Sequence, residues 1–224
     1  MSISEFIKKN IWIIAMAIGF VGFLLVFYFI PRRSQIDASW QMYCKILLFT
    51  IIVIGIAFFP NTHEKRQLIL LVPIIIIIGF ILPRISFFAN VGIPAHYDGK
   101  LPNAYDEFYT YMYLVLFPFV ISFCCLSYRL GGGLPGEVIK IGMSAVIILF
   151  SGTLDIMYFT INPVVIPEKM IYANHIKAIL GYYPTFGETM VFFSFHLPLL
   201  VILWLLPLNK WIKNVFGKQY AEKC

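Results

Sequence analysis

Residues 138–161 read VIKIGMSAVIILFSGTLDIMYFTI, and this apolar stretch is long enough to decide the fold class. A helix needs about 20 residues to cross a hydrocarbon core about 30 Å thick. The stretch also carries an acidic residue, Asp155, well inside it. Placing such a charge deep in a bilayer costs at least about 2.5 kcal/mol. The segment therefore predicts a membrane span whose acidic side chain faces protein or water rather than lipid.

The composition of the whole chain agrees with this segment. Of 224 residues, 60% are hydrophobic, 17% are aromatic and 12% are charged. A soluble domain carries about 25% charged residues, so this chain has too few charges to cover a water-facing surface. The composition excludes a soluble enzyme, a disulfide-rich secreted scaffold and a disordered chain. It predicts an all-α, polytopic helical membrane protein in which residues 1–224 form a single transmembrane domain.

Six apolar segments are candidates for membrane-spanning helices, and most of them end close to a proline, a glycine or a basic residue. They cover residues 11–30, 40–59, 68–82, 108–128, 138–161 and 189–206. The first segment is too long for the core of a signal peptide, so we expect it to stay in the mature chain. The sequence thus predicts about six transmembrane helices.

Lysine and arginine are distributed unevenly between the two sides that six spans would create. The side that includes both termini carries ten of them: Lys8, Lys9, Lys65, Arg66, Arg129, Lys140, Lys210, Lys213, Lys218 and Lys223. The other side carries six: Arg32, Arg33, Arg84, Lys100, Lys169 and Lys177. Because basic residues are enriched in cytoplasmic loops, we expect an integral, multi-pass protein with both termini in the cytoplasm.

The loop between the fifth and sixth spans contains a pattern typical of a short helix. Pro167 suits the first helical position, and Gly181 suits the position after the last turn. The apolar residues between them repeat on one face: Tyr172, Ala173, Ile176, Ile179 and Leu180. The pattern predicts a short outer interfacial helix on the membrane surface, with His175 as a surface histidine.

Asp155 has a predicted partner in the sixth span. Counted from the outer ends of the two helices, Asp155 and His196 both lie roughly 12–13 Å deep, so antiparallel packing would bring them together. We predict this pair as a catalytic or ion-handling centre, with Asp155 as base or ligand and His196 as its proton partner. The alternative is an interhelical clamp worth about 1 kcal/mol.

Other polar side chains in the outer half of these two helices are predicted to line the centre. They are Ser151, Tyr158 and Asn162 in the fifth span and Glu188 at the start of the sixth. For Glu188 the alternative is a helix cap, since a carboxylate at a helix N-terminus complements the helix dipole. No HxxxH, HExxH or CxxC spacing occurs, so we predict no metal site. The sequence identifies no cofactor.

Two functions remain open from the sequence. No motif of a known reaction class occurs, and Ala15, Gly19 and Gly22 form a small-residue face suited to helix contact. These features favour a non-catalytic subunit or accessory partner of a larger membrane assembly. Its partners would be the lipid bilayer and other membrane chains, or a second copy of this chain.

The alternative is a membrane-embedded enzyme or a proton- or ion-coupled carrier for a lipidic or small-molecule ligand, built on Asp155 and His196. Nucleic acid is not expected as a partner, because the net charge of +6 is scattered near the ends of the spans. A nucleic-acid interface would concentrate that charge on one soluble face.

Overall fold

The computed structural model describes residues 3–29, 39–60, 73, 76, 81, 85, 87–92, 94, 98–101, 103–161, 165–171 and 173–217. Every regular element in these ranges is a helix. The α-helices are α1 (Ile3–Phe29), α2 (Ser39–Ala57), α3 (Ala104–Tyr111), α4 (Phe117–Leu130), α5 (Pro135–Phe150), α6 (Thr153–Ile161), α7 (Asn174–Leu180), α8 (Phe186–Leu205) and α9 (Leu208–Phe216). Short π-helical turns cover Phe88–Gly92 and Met112–Leu116.

Three helical stretches of the described chain are long and apolar enough to cross a membrane: Ser39–Ala57, Met112–Leu130 and Phe186–Leu205. A bent pair, Pro135–Phe150 with Thr153–Thr160, makes a fourth if it is counted as one span. The chain is therefore compatible with a multi-pass, membrane-embedded protein, and the expected count of about six spans is not confirmed.

Two of the six predicted spans account for the difference in number. The predicted first span falls within α1, whose backbone leaves helical geometry at Asn10 and whose apolar helix over Asn10–Gly22 is shorter than a full crossing. The predicted third span, residues 68–82, lies outside the described residues apart from positions 73, 76 and 81.

Helices α1 and α2 pack against each other along a row of glycines. A Cβ atom added to Gly19 would lie 2.5 Å from Cγ1 of Ile52, and one added to Gly22 would overlap the side chain of Leu48. Small residues at such positions allow two helix backbones to approach closely in a membrane. The small-residue face of α1 therefore serves a contact within the chain, which removes it as a reason to expect a partner helix.

Arg129 ties the end of α2 to the turn after α4. Its Nε donates to the carbonyl oxygen of Phe59 at 3.1 Å, and one terminal nitrogen donates to the carbonyl oxygen of Gly133 at 2.8 Å. The arginine is buried, with 8% of its surface exposed. A buried guanidinium is tolerated because these carbonyls, left without helical partners, accept its hydrogen bonds.

The first and last described helices meet at this same end of the bundle. Trp12 of α1 stands edge-on to Phe59, with ring centres 5.1 Å apart. Phe216 of α9 lies 4.8 Å from Phe58, and Ile212 is buried in the cluster that also contains Val138 and Cys125 of α5 and α4. Placement of this end in the cytoplasm stays a prediction.

Replacing Gly19 with leucine is expected to destabilise the protein by about 1–3 kcal/mol, because the new side chain must occupy the space of Ile52. Thermal unfolding in lipid nanodiscs measures the effect. The matched control is Ala17→Leu, which introduces the same leucine side chain at an exposed position of the same helix. Equal unfolding temperatures for the two variants would contradict the close contact of α1 with α2.

Candidate functional site

The helix that the sequence predicts over residues 138–161 is broken near its middle. Helix α5 ends at Phe150, α6 begins at Thr153, and the two are inclined by 58°. The prediction of one continuous span is wrong because Gly152 adopts φ +85°, a conformation that glycine reaches without steric cost.

Hydroxyl groups at the break satisfy backbone atoms that the helix no longer pairs. Ser151 Oγ donates to the carbonyl oxygen of Ile148 at 2.8 Å and accepts from the Thr153 amide at 3.3 Å. The two hydroxyl oxygens of Ser151 and Thr153 are 2.6 Å apart. Polar backbone groups inside a bilayer need such partners, since lipid tails offer none. The break between α5 and α6 is therefore stabilised by side-chain hydrogen bonds.

Asp155 lies in the first turn of α6 and faces His175. The Asp155 carboxylate oxygen Oδ2 is 3.9 Å from Nε2 of His175, and the two side chains are 9% and 7% exposed. The partner of Asp155 at this distance is therefore His175, and not His196 as the count of helical depth predicts. That count assumes straight helices, whereas the bend at Gly152 redirects Asp155 toward a different element.

His175 is buried because α7 is packed into the protein. Helix α7 contacts α2, and Ala173 and Ile176 beside the histidine have no exposed surface. The ring of Phe150 stands edge-on to the imidazole, with centres 6.4 Å apart. The prediction of a surface histidine is wrong, whereas the position of the helix at the membrane surface stays a prediction. The predicted end at Gly181 is right, with φ +84°, but the helix starts at Asn174 rather than at Pro167.

Contacts on both sides of α7 hold it in place. The amide of Met170, before the helix, donates to the carbonyl oxygen of Pro184, after it, at 2.7 Å. Lys177 Nζ lies 4.3 Å from the ring centre of Tyr183, and the hydroxyl of Tyr183 donates to Asn174 Oδ1 at 3.4 Å. These links close the segment on itself and keep His175 against Asp155.

Three helices meet at the break. A Cβ atom on Gly152 would lie 3.1 Å from Cδ1 of Ile176 in α7 and 3.1 Å from Cγ2 of Thr189 in α8. Thr189 has no exposed surface, and its hydroxyl donates to the carbonyl oxygen of Thr185 at 2.9 Å. The absence of a side chain at Gly152 is what allows α7 and α8 to close over the start of α6.

His196 is engaged by its own helix. Its Nδ1 lies 2.8 Å from the carbonyl oxygen of Phe192, and the two rings are 4.7 Å apart. A proton-partner role for His196 has no supporting contact with Asp155 in the described part of the chain. The sequence contains a signal for the burial of His175, since the apolar residues Ala173 and Ile176 lie close to it on either side.

The predicted lining residues occupy different settings. Ser151 is buried at the break, whereas Tyr158 has 52% of its surface exposed. Asn162 lies outside the described residues. Glu188 forms a reciprocal cap at the start of α8: its Oε2 accepts from the Thr185 amide at 2.7 Å, and its own amide donates to Thr185 Oγ1 at 3.2 Å. Lining roles for these residues stay predictions.

Glu188 also binds the loop that precedes α8. The hydroxyl of Tyr182 donates to Glu188 Oε1 at 3.1 Å, and this hydrogen bond, with the nearby negative charge, raises the pKa of Tyr182. Glu188 thus forms the helix cap that the sequence offers as its alternative role.

The arrangement of Asp155 and His175 suits the exchange of a proton. An imidazole gains and loses a proton near neutral pH and a carboxylate can accept one, and burial strengthens the electrostatic interaction between them. Within the residues described, no three histidine, cysteine, aspartate or glutamate side chains are grouped so as to hold a metal ion. No protein-family model, curated protein or solved structure matches the chain.

A double-mutant cycle tests the pairing of Asp155 with His175. Asp155→Asn and His175→Gln are expected to show a coupling of about 0.6–1.7 kcal/mol in unfolding free energy, the range of polar contacts between membrane helices. The matched control is the cycle of Asp155→Asn with His196→Gln, for which we expect a coupling near zero. A larger coupling to His196 than to His175 would contradict the geometry.

Adding a methyl group at Gly152 is expected to destabilise the protein by about 1–2 kcal/mol, because φ is positive there and Ile176 and Thr189 are 3.1 Å from the new atom. Gly152→Ala should also speed amide hydrogen exchange in α7. The control is Gly187→Ala, since nothing lies within 4 Å of a Cβ atom at Gly187. Unchanged exchange in α7 would show that the helix is held independently of Gly152.

Proposed function

We propose that this protein is a membrane-embedded, proton-coupled carrier for a lipidic or small-molecule ligand, with Asp155 and His175 as its proton-exchanging pair. One observation supports the proposal above all others. Asp155 sits in the first turn after a break in an apolar span, with the imidazole of a separate segment 3.9 Å away. Ionisable residues inside membrane spans mark ion and proton pathways, and broken helices often form the sites of secondary transporters.

The burial of the pair favours a carrier over an enzyme that attacks a substrate directly. Both side chains are less than a tenth exposed, so a substrate has no open approach to either in this conformation. A carrier needs such a closed state, because its ion site opens to one side of the membrane at a time. In this proposal α7 is the element that moves, since it covers Asp155 without belonging to the span.

In this proposal, the protonation state of Asp155 and His175 determines whether the site is closed or open. When Asp155 is ionised and His175 is protonated, their attraction stabilises the closed state. Loss of one proton removes that attraction and leaves a buried charge, which favours opening toward water. Coupling then arises because the ligand and the proton each favour one of the two states.

An accessory-subunit role is the second candidate, and the surface of α8 is the observation that favours it. Most of this helix is exposed and apolar, with Phe195 72% and Leu205 78% exposed. Lipid alone can cover such a surface, and so can a partner helix. Native mass spectrometry after purification in mild detergent separates these cases. A stoichiometric partner protein supports the subunit, and a lone chain counts against it.

Infrared difference spectroscopy in reconstituted membranes tests the carrier. We expect a buried carboxylic-acid C=O band that appears as the pH falls, because the gain of a proton by Asp155 is the second way in which its attraction to His175 is lost. Asp155→Asn should remove this band. His175→Gln should change the pH at which it titrates, and His196→Gln should leave it unchanged.

Proton flux into vesicles, followed with an internal pH-sensitive dye, supplies the second readout. Asp155→Asn and His175→Gln are expected to abolish flux while His196→Gln retains it, with folded protein verified by thermal unfolding. Two results would overturn the proposal. One is the absence of any band that depends on Asp155, and the other is equal flux in all variants.

A further inference from the structure

Helix α9 lies at the level where the hydrocarbon core ends. Helix α8 has 20 residues, and at 1.5 Å per residue it covers the full thickness of about 30 Å. Leu206 then leaves the helical conformation, with ψ 132°, and α9 starts at Leu208. The chain therefore turns out of the bilayer between the two helices and places α9 among the lipid headgroups.

One face of α9 is fixed to the protein. Ile212 is buried, the ring of Phe216 lies 4.8 Å from Phe58, and Oδ1 of Asn209 accepts from the amide of Gly136 at 2.8 Å. These three contacts come from one side of the helix, at positions three to four residues apart. They fix its rotation, so the residues on its other side face outward.

The outward side of α9 combines bulky apolar groups with positive charge. Trp211 and Val215 are 48% and 55% exposed, and Lys210 and Lys213 are exposed beside them. No acidic residue occurs in Leu208–Phe216. Tryptophan is favoured at the membrane interface because its ring has an apolar body and one polar N–H. The lysines reach outward to the headgroups from the same level.

A third cation belongs to the same end of the bundle. Lys140 Nζ of α5 donates to the carbonyl oxygen of Trp204 at 2.7 Å and lies 5.9 Å from the centre of its ring. The nearby acid of α5 is already engaged: Glu137 Oε2 accepts from the hydroxyl of Tyr128 at 2.9 Å and from the amide of Leu134 at 3.0 Å. The positive charge on α9 thus faces outward without a matching acid on its own helix.

We infer that α9 is a recognition surface for anionic phospholipid, in which Lys210 and Lys213 bind the headgroup phosphate while Trp211 and Val215 rest against the acyl chains. The charge of the surface selects an anion, and the exposed apolar groups beside the lysines select one that carries a lipid tail. A lysine near an anionic leaflet contributes about 1 kcal/mol. The surface acts independently of Asp155 and His175, so it holds whether or not the protein is a carrier.

Quenching of tryptophan fluorescence by brominated lipid tests this surface. The full chain is reconstituted in two mixtures of phosphatidylglycerol and phosphatidylcholine at equal mole fraction, with bromine on one lipid or the other. The signal of Trp211 is the difference between the wild type and Trp211→Phe. We expect stronger quenching from brominated phosphatidylglycerol.

Charge-removing variants at α9 and elsewhere separate a local site from a general effect of charge. Lys210→Gln with Lys213→Gln is expected to reduce the preference for phosphatidylglycerol about thirtyfold, which corresponds to two lysine contacts of about 1 kcal/mol each. Lys210→Arg with Lys213→Arg should retain it. The matched control, Lys100→Gln with Lys169→Gln, removes the same charge outside α9 and should also retain it.

Three results would overturn the inference. The first is equal quenching by the two lipids in the wild type. The second is an equal loss of preference in the control pair, which would indicate net charge rather than a site. The third is a loss of preference on adding inorganic phosphate at constant ionic strength, which would show that the lysines take a soluble anion.

Discussion

A polar backbone must stay hydrogen-bonded inside a membrane. This constraint governs the structure around the break between α5 and α6. Where α5 ends and α6 begins, the hydroxyls of Ser151 and Thr153 replace helical partners. The bend of 58° then points the first turn of α6 at the interior of the protein. The burial of Asp155, the docking of α7 and the position of Thr189 all follow from that change of direction.

Close packing in the rest of the bundle stabilises the protein despite the break between α5 and α6. Glycines let α1 lie directly on α2, and Gly142 of α5 approaches Val53 of α2 just as closely. Arg129 fastens the far end through carbonyl oxygens. With these helices held by close packing and hydrogen bonds, the irregular half of the molecule can keep two ionisable side chains away from water without loosening the whole.

The sequence is sufficient for the fold class and for several helix limits, because both depend on local properties. Apolar length predicts the candidate span at Ser39–Ala57, and the predicted sixth span, residues 189–206, closely matches α8. Of the ionisable pair Asp155 and His175, only the first residue is predictable from the sequence. Asp155 stands out by its cost in a span, whereas its partner depends on a bend at one glycine and on the return of a loop.

The burial of His175 in α7 is likewise not predictable, because it depends on contacts between segments that are apart in the sequence. Its apolar face fits a membrane surface and a protein interior equally well, since both offer an apolar contact to Ala173 and Ile176. The contacts of α7 with α2 and with Gly152 bury His175, and these contacts join segments that are apart in the sequence. A count of helical depth predicts His196 as the partner of Asp155, because such a count assumes straight helix axes and contains no information about bends.

The origin of His175 in a separate segment has a consequence for the biosynthesis of the protein. During synthesis Asp155 leaves the ribosome before the imidazole that it faces, so α5 and α6 reach the insertion machinery with an uncompensated acid. That acid raises the cost of entering lipid until His175 has followed. The partner of Asp155 therefore comes from outside α5 and α6, so the completion of this bent helix pair depends on the docking of α7.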